Sequence, residues 1–359
     1  MGLREINQKF WKGRRVFITG HMGFKGAWLC ALLSRLEAIT IGFGQDDRQP
    51  LLYRGLSLNY NTSITGDINN SKTLGHALER SGAEVLIHLA AQPLVLASYA
   101  DPIGTFETNV LGTAKVLDAA RNGGDLKAII AITTDKVYQN NEWTWAYREN
   151  DKLGSGDPYS ASKAAAEIIV SSMTKTFFSA PGSARVVTAR AGNVIGGGDW
   201  ADHRLLPDAA RALTRGERFV CRNPDSIRPW QHVLDPLVGY LLLAETLTTS
   251  KDELPTAWNF GPSQDDTLRV SEVADIFIRT WSSKETWAPS QDQTAIKEAV
   301  HLAIDSALAR TRLGWRPRWQ GREAVARTAH WYHLHSAGQS VQSLVDRDIS
   351  EYLMKGVTG

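Results

Sequence analysis

VFITGHMGFKGAWLCALL, from Val16 to Leu33, enters a turn from a short apolar run and leaves it in an apolar run with helical spacing. Gly20, Gly23 and Gly26 punctuate the turn at three-residue intervals. Strand, glycine turn, helix is the context in which such a triplet reads as a phosphate loop. Gly20 lets the chain turn sharply out of the strand, and Gly23 lets backbone N–H groups approach a pyrophosphate. Gly26 lets the helix pack near the sheet, and the helix N-terminus attracts the anion. The Gly-x-x-Gly-x-x-Gly spacing differs from that of ordinary dehydrogenases, so the loop alone leaves open whether a dinucleotide is held for net oxidation or for another purpose.

Outward from this unit, β-branched runs alternate with helical segments. RVFIT (15–19), AITIGF (38–43), TSITGD (62–67), EVLIHLA (84–90), AIIAITT (128–134) and ARVVTAR (184–190) read as strands. Their near-continuous apolar character fits burial on both faces. Lys25–Leu36, Ser71–Arg80, Ile103–Arg121 and Asp157–Phe178 read as the helices between them. The pattern predicts an α/β fold, a modified Rossmann doubly wound parallel sheet. After Arg190 it loosens into AGNVIGGGDWADHR, which predicts a smaller, interleaved C-terminal substrate domain. HVLDPLVGYLLLAETL (232–247) reads as a helix returning to the sheet. The expected division is 1–191 plus about 230–258 for the dinucleotide domain, and 192–229 plus about 259–359 for the substrate domain.

The 359 residues, 43% hydrophobic and 22% charged, are enough for two joined domains with real cores. A net charge of +2 gives no reason to expect nucleic acid or an acidic membrane as partner. Cys30 and Cys221 suggest a reducing compartment. MGLREINQKFWKGRRV has no apolar core of a signal peptide, and no run is long enough to span a bilayer, so a cytoplasmic protein is expected.

An acid about 20 residues past the loop would bind the adenosine ribose. Here Asp46 or Asp47 comes slightly late, which leaves NAD against NADP open on these residues. Asp67 and Ile68 after the third strand offer an acceptor and an apolar edge for adenine. Tyr159 and Lys163, in DPYSASKAAAE, share a helical face at i,i+4. A cation beside a phenol lowers its pKa from about 10 toward a useful general base. The preceding strand ends in Thr133-Thr134, whose hydroxyls emerge at the carboxyl edge where open α/β sheets bind ligands. His330, His333 and His335 imitate a metal cluster, but no carboxylate or cysteine completes it, and no metal is expected.

The glycine triplet, His88-Leu89-Ala90-Ala91, Thr134 and Tyr159-x-x-x-Lys163 resemble the extended short-chain dehydrogenase/reductase superfamily. TGHMGFKGAWL, TTDKVYQNNEW, RAGNVIGGGDWADHRLLPD and RPWQHVLDPLVGYLLLAE narrow the resemblance to nucleotide-sugar 4,6-dehydratases of the CDP-glucose branch. In the dTDP-glucose branch the matching threonine is followed by Asp-Glu; here it is followed by Asp135-Lys136.

The resemblance implies NAD as cofactor, held by Gly20, Gly23, Phe24, Lys25, Gly26, Asp67, Ile68, Leu89, Ala90, Ala91, Tyr159 and Lys163. It implies a CDP-D-glucose substrate reached by Gln92, Thr134, Asn193, Gly197, Trp200 and Arg228. Tyr159, assisted by Lys163, would take the 4-hydroxyl proton, which Thr134 orients. Asp135 would protonate the departing 6-hydroxyl. Lys136 would take the C5 proton if neutral, the alternative being that Asp135 handles both protons through water. A homodimer or homotetramer, and a product serving bacterial surface polysaccharide, are implied in the same way. An epimerase has no need of Asp135-Lys136, and a non-catalytic dinucleotide sensor has no need of Thr134, Asp135, Tyr159 and Lys163 together. Arg190 reads either as a diphosphate contact or as an ion-paired strand end. The loop Glu142–Glu149 reads as a cover for the sugar or as local packing.

Overall fold

The computed structural model describes residues 3–45, 51–59, 61–263, 266–290 and 302–354. Asp46 and Asp47 lie outside them. Seven strands form one parallel sheet: β1 Arg15–Thr19, β2 Ile39–Gly44, β3 Asn61–Thr65, β4 Val85–His88, β5 Ala128–Ile132, β6 Arg185–Ala191 and β7 Ala257–Phe260. Their spatial order is β3-β2-β1-β4-β5-β6-β7. Strand β1 pairs with β2 on one side and β4 on the other, so the winding direction reverses there and opens a crevice above their carboxyl ends. The glycine loop leaves β1 into that crevice.

The two-residue strand period sorts the apolar side chains to opposite faces. Val16 and Ile18 join a core with Trp28, Leu32, Leu237 and Trp258. Phe17 joins Phe43, Leu74, Leu86, Val116 and Ile129 on the other face. Crossovers run through α1 Phe24–Arg35, α2 Ser71–Ser81, α3 Gly112–Arg121 and α4 Pro158–Phe177. The Asp157 carboxylate caps α4 by accepting from Ser160 N, and Pro158 starts it where no N–H is needed. The helix expected over Ile103–Arg121 contains a π turn at Glu107–Leu111. Within that turn the Asn109 carboxamide bonds Gln92 N, Gln92 O and Ser162 Oγ, tying the segment to α4.

The smaller lobe carries α5 Leu205–Thr214, α7 Val270–Trp281 and α8 Gly321–Ser336, and α6 Leu234–Thr249 returns to lie on β5 and β6. The tail packs on both lobes' elements. Residues Ala307–Leu313 pack on α6 and β7, and α9, Val341–Met354, packs on α1. The reason is apolar: Tyr352 and Leu344 belong to the same continuous core as Trp28.

Candidate active site

Gly20 adopts φ +72°, and a Cβ there would lie 2.7 Å from Ala90 N. A Cβ on Gly26 would lie 2.2 Å from Gly20 O. The loop is therefore closed tightly between the Leu89-Ala90 backbone and α1. Gly23 is the N-cap of α1 with no side-chain cap, and the first turn holds no acidic residue. Its backbone N–H donors thus face the crevice with the charge preference of an anion site.

Two buried histidines, neither assigned from sequence, shape this loop. The His21 ring lies where a Cβ on Gly42 would sit, 2.2 Å from the ring, and its Nε2 meets Ser63 Oγ at 2.7 Å. Burial pushes it down to about 4, so it is neutral. The glycines of IGFG in β2 were its sequence signal. His88 sits in a chain of bonds running in one direction. Thr113 Oγ1 donates to Asn109 O and therefore accepts from His88 Nε2 (3.0 Å). His88 Nδ1 accepts from Thr19 Oγ1 (2.7 Å), and that oxygen accepts from Ala90 N (3.2 Å). Burial first, then Lys163, lowers His88 to about 3 and keeps it neutral. This chain sets the Leu89-Ala90-Ala91 strap over the loop. Farther along the crevice, Asp67 Oδ1 accepts from Asn69 N, and Ile68 packs against Gly112.

At the carboxyl end of β5, Thr134 caps a single 3₁₀ turn, Asp135–Val137. Thr134 Oγ1 donates to Asp135 Oδ1 at 2.9 Å, and Lys136 Nζ stands 3.6 Å from the same oxygen. The Asp135 side chain is almost wholly enclosed, and a Cβ on Gly192 would lie 2.8 Å from Oδ2. The Tyr159 phenol is buried, 8% exposed, with the Thr134 hydroxyl among the groups acting on it. Burial raises the phenol pKa; Lys136, the Thr134 hydroxyl and Arg204 oppose the rise, and Asp135 adds to it.

Lys163 Nζ turns to Ile132 O (3.3 Å), and Lys136 and Arg204 are the cations that favour phenolate. Arg204 had no role in the sequence reading. It precedes α5 and is held by Asp199 Oδ2 at 2.7 Å, and only the folding of GGGDWADHR over the sheet edge brings it near Tyr159. Lys25 reaches the same place. Burial, then the charges of Arg204 and Lys163, push it down to about 8, with Asp135 opposing and Lys136 assisting.

Several expected substrate contacts are spent elsewhere. The Gln92 carboxamide donates to Thr105 Oγ1 and accepts from Leu94 N. Gly197 O accepts from Trp28 Nε1, and a Cβ on Gly197 would fall 1.9 Å from the Trp331 ring. Both thus have packing partners within the fold. Trp200 packs edge-on against Tyr332, at 5.0 Å between centroids. Asn193 O accepts from Gln231 N, leaving its half-buried side chain near Gly192. Arg228 is buried on a short strand beside Leu268. Arg190 is ion-paired to Glu167 at 2.8 Å. In the loop after β5, Tyr138, Tyr147 and Trp143 stack in succession, with Trp145 exposed at the end. His333 packs on Trp281, and His335 on Trp200 and Trp331. The described residues contain no metal-binding group of three or more His, Cys, Asp or Glu.

The sequence profile of the NAD dependent epimerase/dehydratase family matches residues 16–261. The chain is 40% identical to the CDP-glucose 4,6-dehydratase of Salmonella typhimurium over 97% of its own length and 98% of that protein's. Its fold superposes on an epimerase from Methanothermobacter thermautotrophicus with TM-score 0.80 and 20% identity, covering 95% of this chain and 96% of the other. A dTDP-glucose 4,6-dehydratase from Bacillus anthracis in complex with NAD gives TM-score 0.75 and 20% identity, with 93% and 100% covered.

Proposed function

The chain belongs to the NAD dependent epimerase/dehydratase family, and from that premise we propose that it converts CDP-D-glucose to CDP-4-keto-6-deoxy-D-glucose and water. The convergence of Thr134, Asp135, Lys136 and Tyr159 at one sheet edge carries this reading, together with an identity of 40% to the Salmonella dehydratase across nearly the whole chain. The uncapped, acid-free start of α1 and the tight glycine turn fit the pyrophosphate of NAD. NAD, when bound, takes the C4 hydrogen as hydride and gives it back at C6.

The protein supplies position and protons. Tyr159 removes the 4-hydroxyl proton, its phenolate favoured by Lys136 and Arg204 against the cost of burial. Thr134, whose hydroxyl is fixed by its bond to Asp135, orients that hydroxyl. The resulting 4-ketone acidifies the C5 proton, and Lys136 accepts it. That role needs a neutral amine, so Lys136 favours the Tyr159 phenolate only until it gives up its own proton. Asp135 is the group placed to hand a proton to the leaving 6-hydroxyl. Water leaves, hydrogen returns at C6 as Lys136 gives its proton back to C5, and the proton taken by Tyr159 makes good the one given by Asp135, so the sugar undergoes no net oxidation.

Arg228 and Asn193 remain the nucleotide-side contacts of this reading, with guanidinium–phosphate pairing as the physical reason. Assembly is read as a homodimer through exposed Tyr99, Ile103 and Leu111 together with Ile168 and Phe177 of α4. No helix among the described residues is long and apolar enough to cross a membrane, which accords with a proposed site of action in the cytoplasm. The test is CDP-glucose deuterated at C4, incubated with catalytic NAD. Deuterium recovered at C6 of a dehydrated product supports the proposal; label retained at C4, or no turnover, overturns it.

A further inference from the structure

Beneath the reacting groups, Glu167 joins three elements. It lies one helical turn after Lys163 on α4. Its Oε1 accepts from Thr133 Oγ1 (2.5 Å) and Arg190 Nε (2.9 Å). Its Oε2 accepts from Thr188 Oγ1 (2.7 Å) and Arg190 Nη2 (2.8 Å). Glu167 and Arg190 are both enclosed. A buried ion pair is a weak device for stability, since apolar residues of equal volume often serve as well. The β5–β6 ladder is already made by backbone pairing, so the pair is not needed to register those strands.

What the carboxylate adds is a tie to the end of β5. Thr133 immediately precedes Thr134, and Lys163 Nζ bonds the carbonyl of Ile132, the residue before Thr133. The last residue of β5 and the one that follows it are thus stitched to the helix that carries Tyr159 and Lys163. We propose that Glu167 is a positioning residue which, through Thr133, fixes Thr134 against Tyr159 and holds the charge of Lys163. This rests on the catalytic reading above.

The groups facing Lys163 are Glu167 on its own helix, neutral His88 from β4 and Lys25 from α1. Burial lowers Lys163 to about 8, and Glu167 is the charge that opposes this. Arg190 completes the arrangement by donating onward to Tyr138 Oη (2.8 Å) and Glu149 O (2.9 Å), so the same carboxylate anchors the loop that follows the site.

Thr133→Val and Thr188→Val each remove one hydroxyl donor from the same carboxylate, so a role in stability alone makes them alike. The expected result is a kcat about tenfold lower or worse for Thr133→Val with KM nearly unchanged, a much smaller loss for Thr188→Val at similar thermal midpoint, and recovery in Thr133→Ser. Equal losses, or losses that follow the melting temperature, overturn the proposal. A second measurement needs no substrate. In NAD-saturated protein labelled with ¹⁵N-lysine, with the Lys163 signal assigned through Lys163→Arg, Glu167→Gln lowers the Lys163 titration by about one unit or more. An unchanged titration overturns the proposal. Absence of turnover in the parent protein would instead overturn the assigned reaction and leave the titration to decide on Glu167. Should Glu167→Gln fail to fold, the Thr133 and Thr188 comparison decides.

Discussion

Tyr352 donates its phenolic hydrogen to Asp235, 117 residues earlier, and so fastens the last described helix to the core of the first lobe. Asp235 also accepts from Arg318 N at 2.7 Å, and Trp315 Nε1 donates to its carbonyl. Burial of this carboxyl outweighs those donors and raises it from 3.8 to about 7.

The folded state therefore binds this proton more tightly than the unfolded chain. The stabilisation is full below about pH 4 and is lost as pH rises toward 7, by roughly 2–4 kcal/mol. Asp348, raised to about 6 by burial, titrates within the same window. Asp235→Asn, which mimics the neutral acid, should flatten the part of the melting-temperature profile between pH 4 and 7 that Asp235 causes. A profile as steep as that of the parent protein would show that Asp235 is not its source.

Asp135→Asn keeps a partner for Thr134 and removes the acid. Elimination should slow by about 10²-fold or more while the first oxidation slows far less. Rapid mixing with CDP-glucose should then show NADH absorbance building up. Equal slowing of both steps would contradict the role assigned to Asp135.

Arg204 acts on Tyr159 through its charge, in favour of phenolate. Arg204→Gln should move the ascending limb of the rate profile to higher pH, by a few tenths to about one unit, with the alkaline plateau largely kept. A lowered plateau with no shift would make Arg204 a substrate contact instead.

Gly197→Ala separates packing from binding. The added methyl meets the Trp331 ring, so the protein should lose about 1–3 kcal/mol of stability or more. The folded fraction should retain the parent KM for CDP-glucose. A raised KM at unchanged melting temperature would return Gly197 to the substrate site.

Local periodicity carried a large part of this protein. The glycine triplet followed by α1, the apolar runs of β1, β2, β4, β5 and β6 and the i,i+4 pair on α4 each depend on residues within a few positions of one another, whereas β3, NTSIT at the sheet edge, is largely exposed and not the doubly buried strand expected. Backbone sterics and hydrogen bonding act at that range, so the parallel sheet and the candidate acid–base residues are legible in the order of residues alone. The π turn at Glu107–Leu111 is not, because its reason is Asn109 reaching Gln92 and Ser162.

Other features depended on what packed against what. Lys163 shares a face with Tyr159 in any helix, yet only the fold gives its ammonium Ile132 O as a partner and sets the charge of Arg204 to act on the phenol. Gln92 and Gly197 look available in a sequence and are engaged in the fold. Residues Thr133, Glu167 and Arg190 form one group only because β5, β6 and α4 meet. Sequence determined the elements and the kinds of chemistry they carry, since these follow from short-range patterns. Tertiary structure decided which charge faces which proton, since direction and burial of a side chain are set by neighbours far away in the chain.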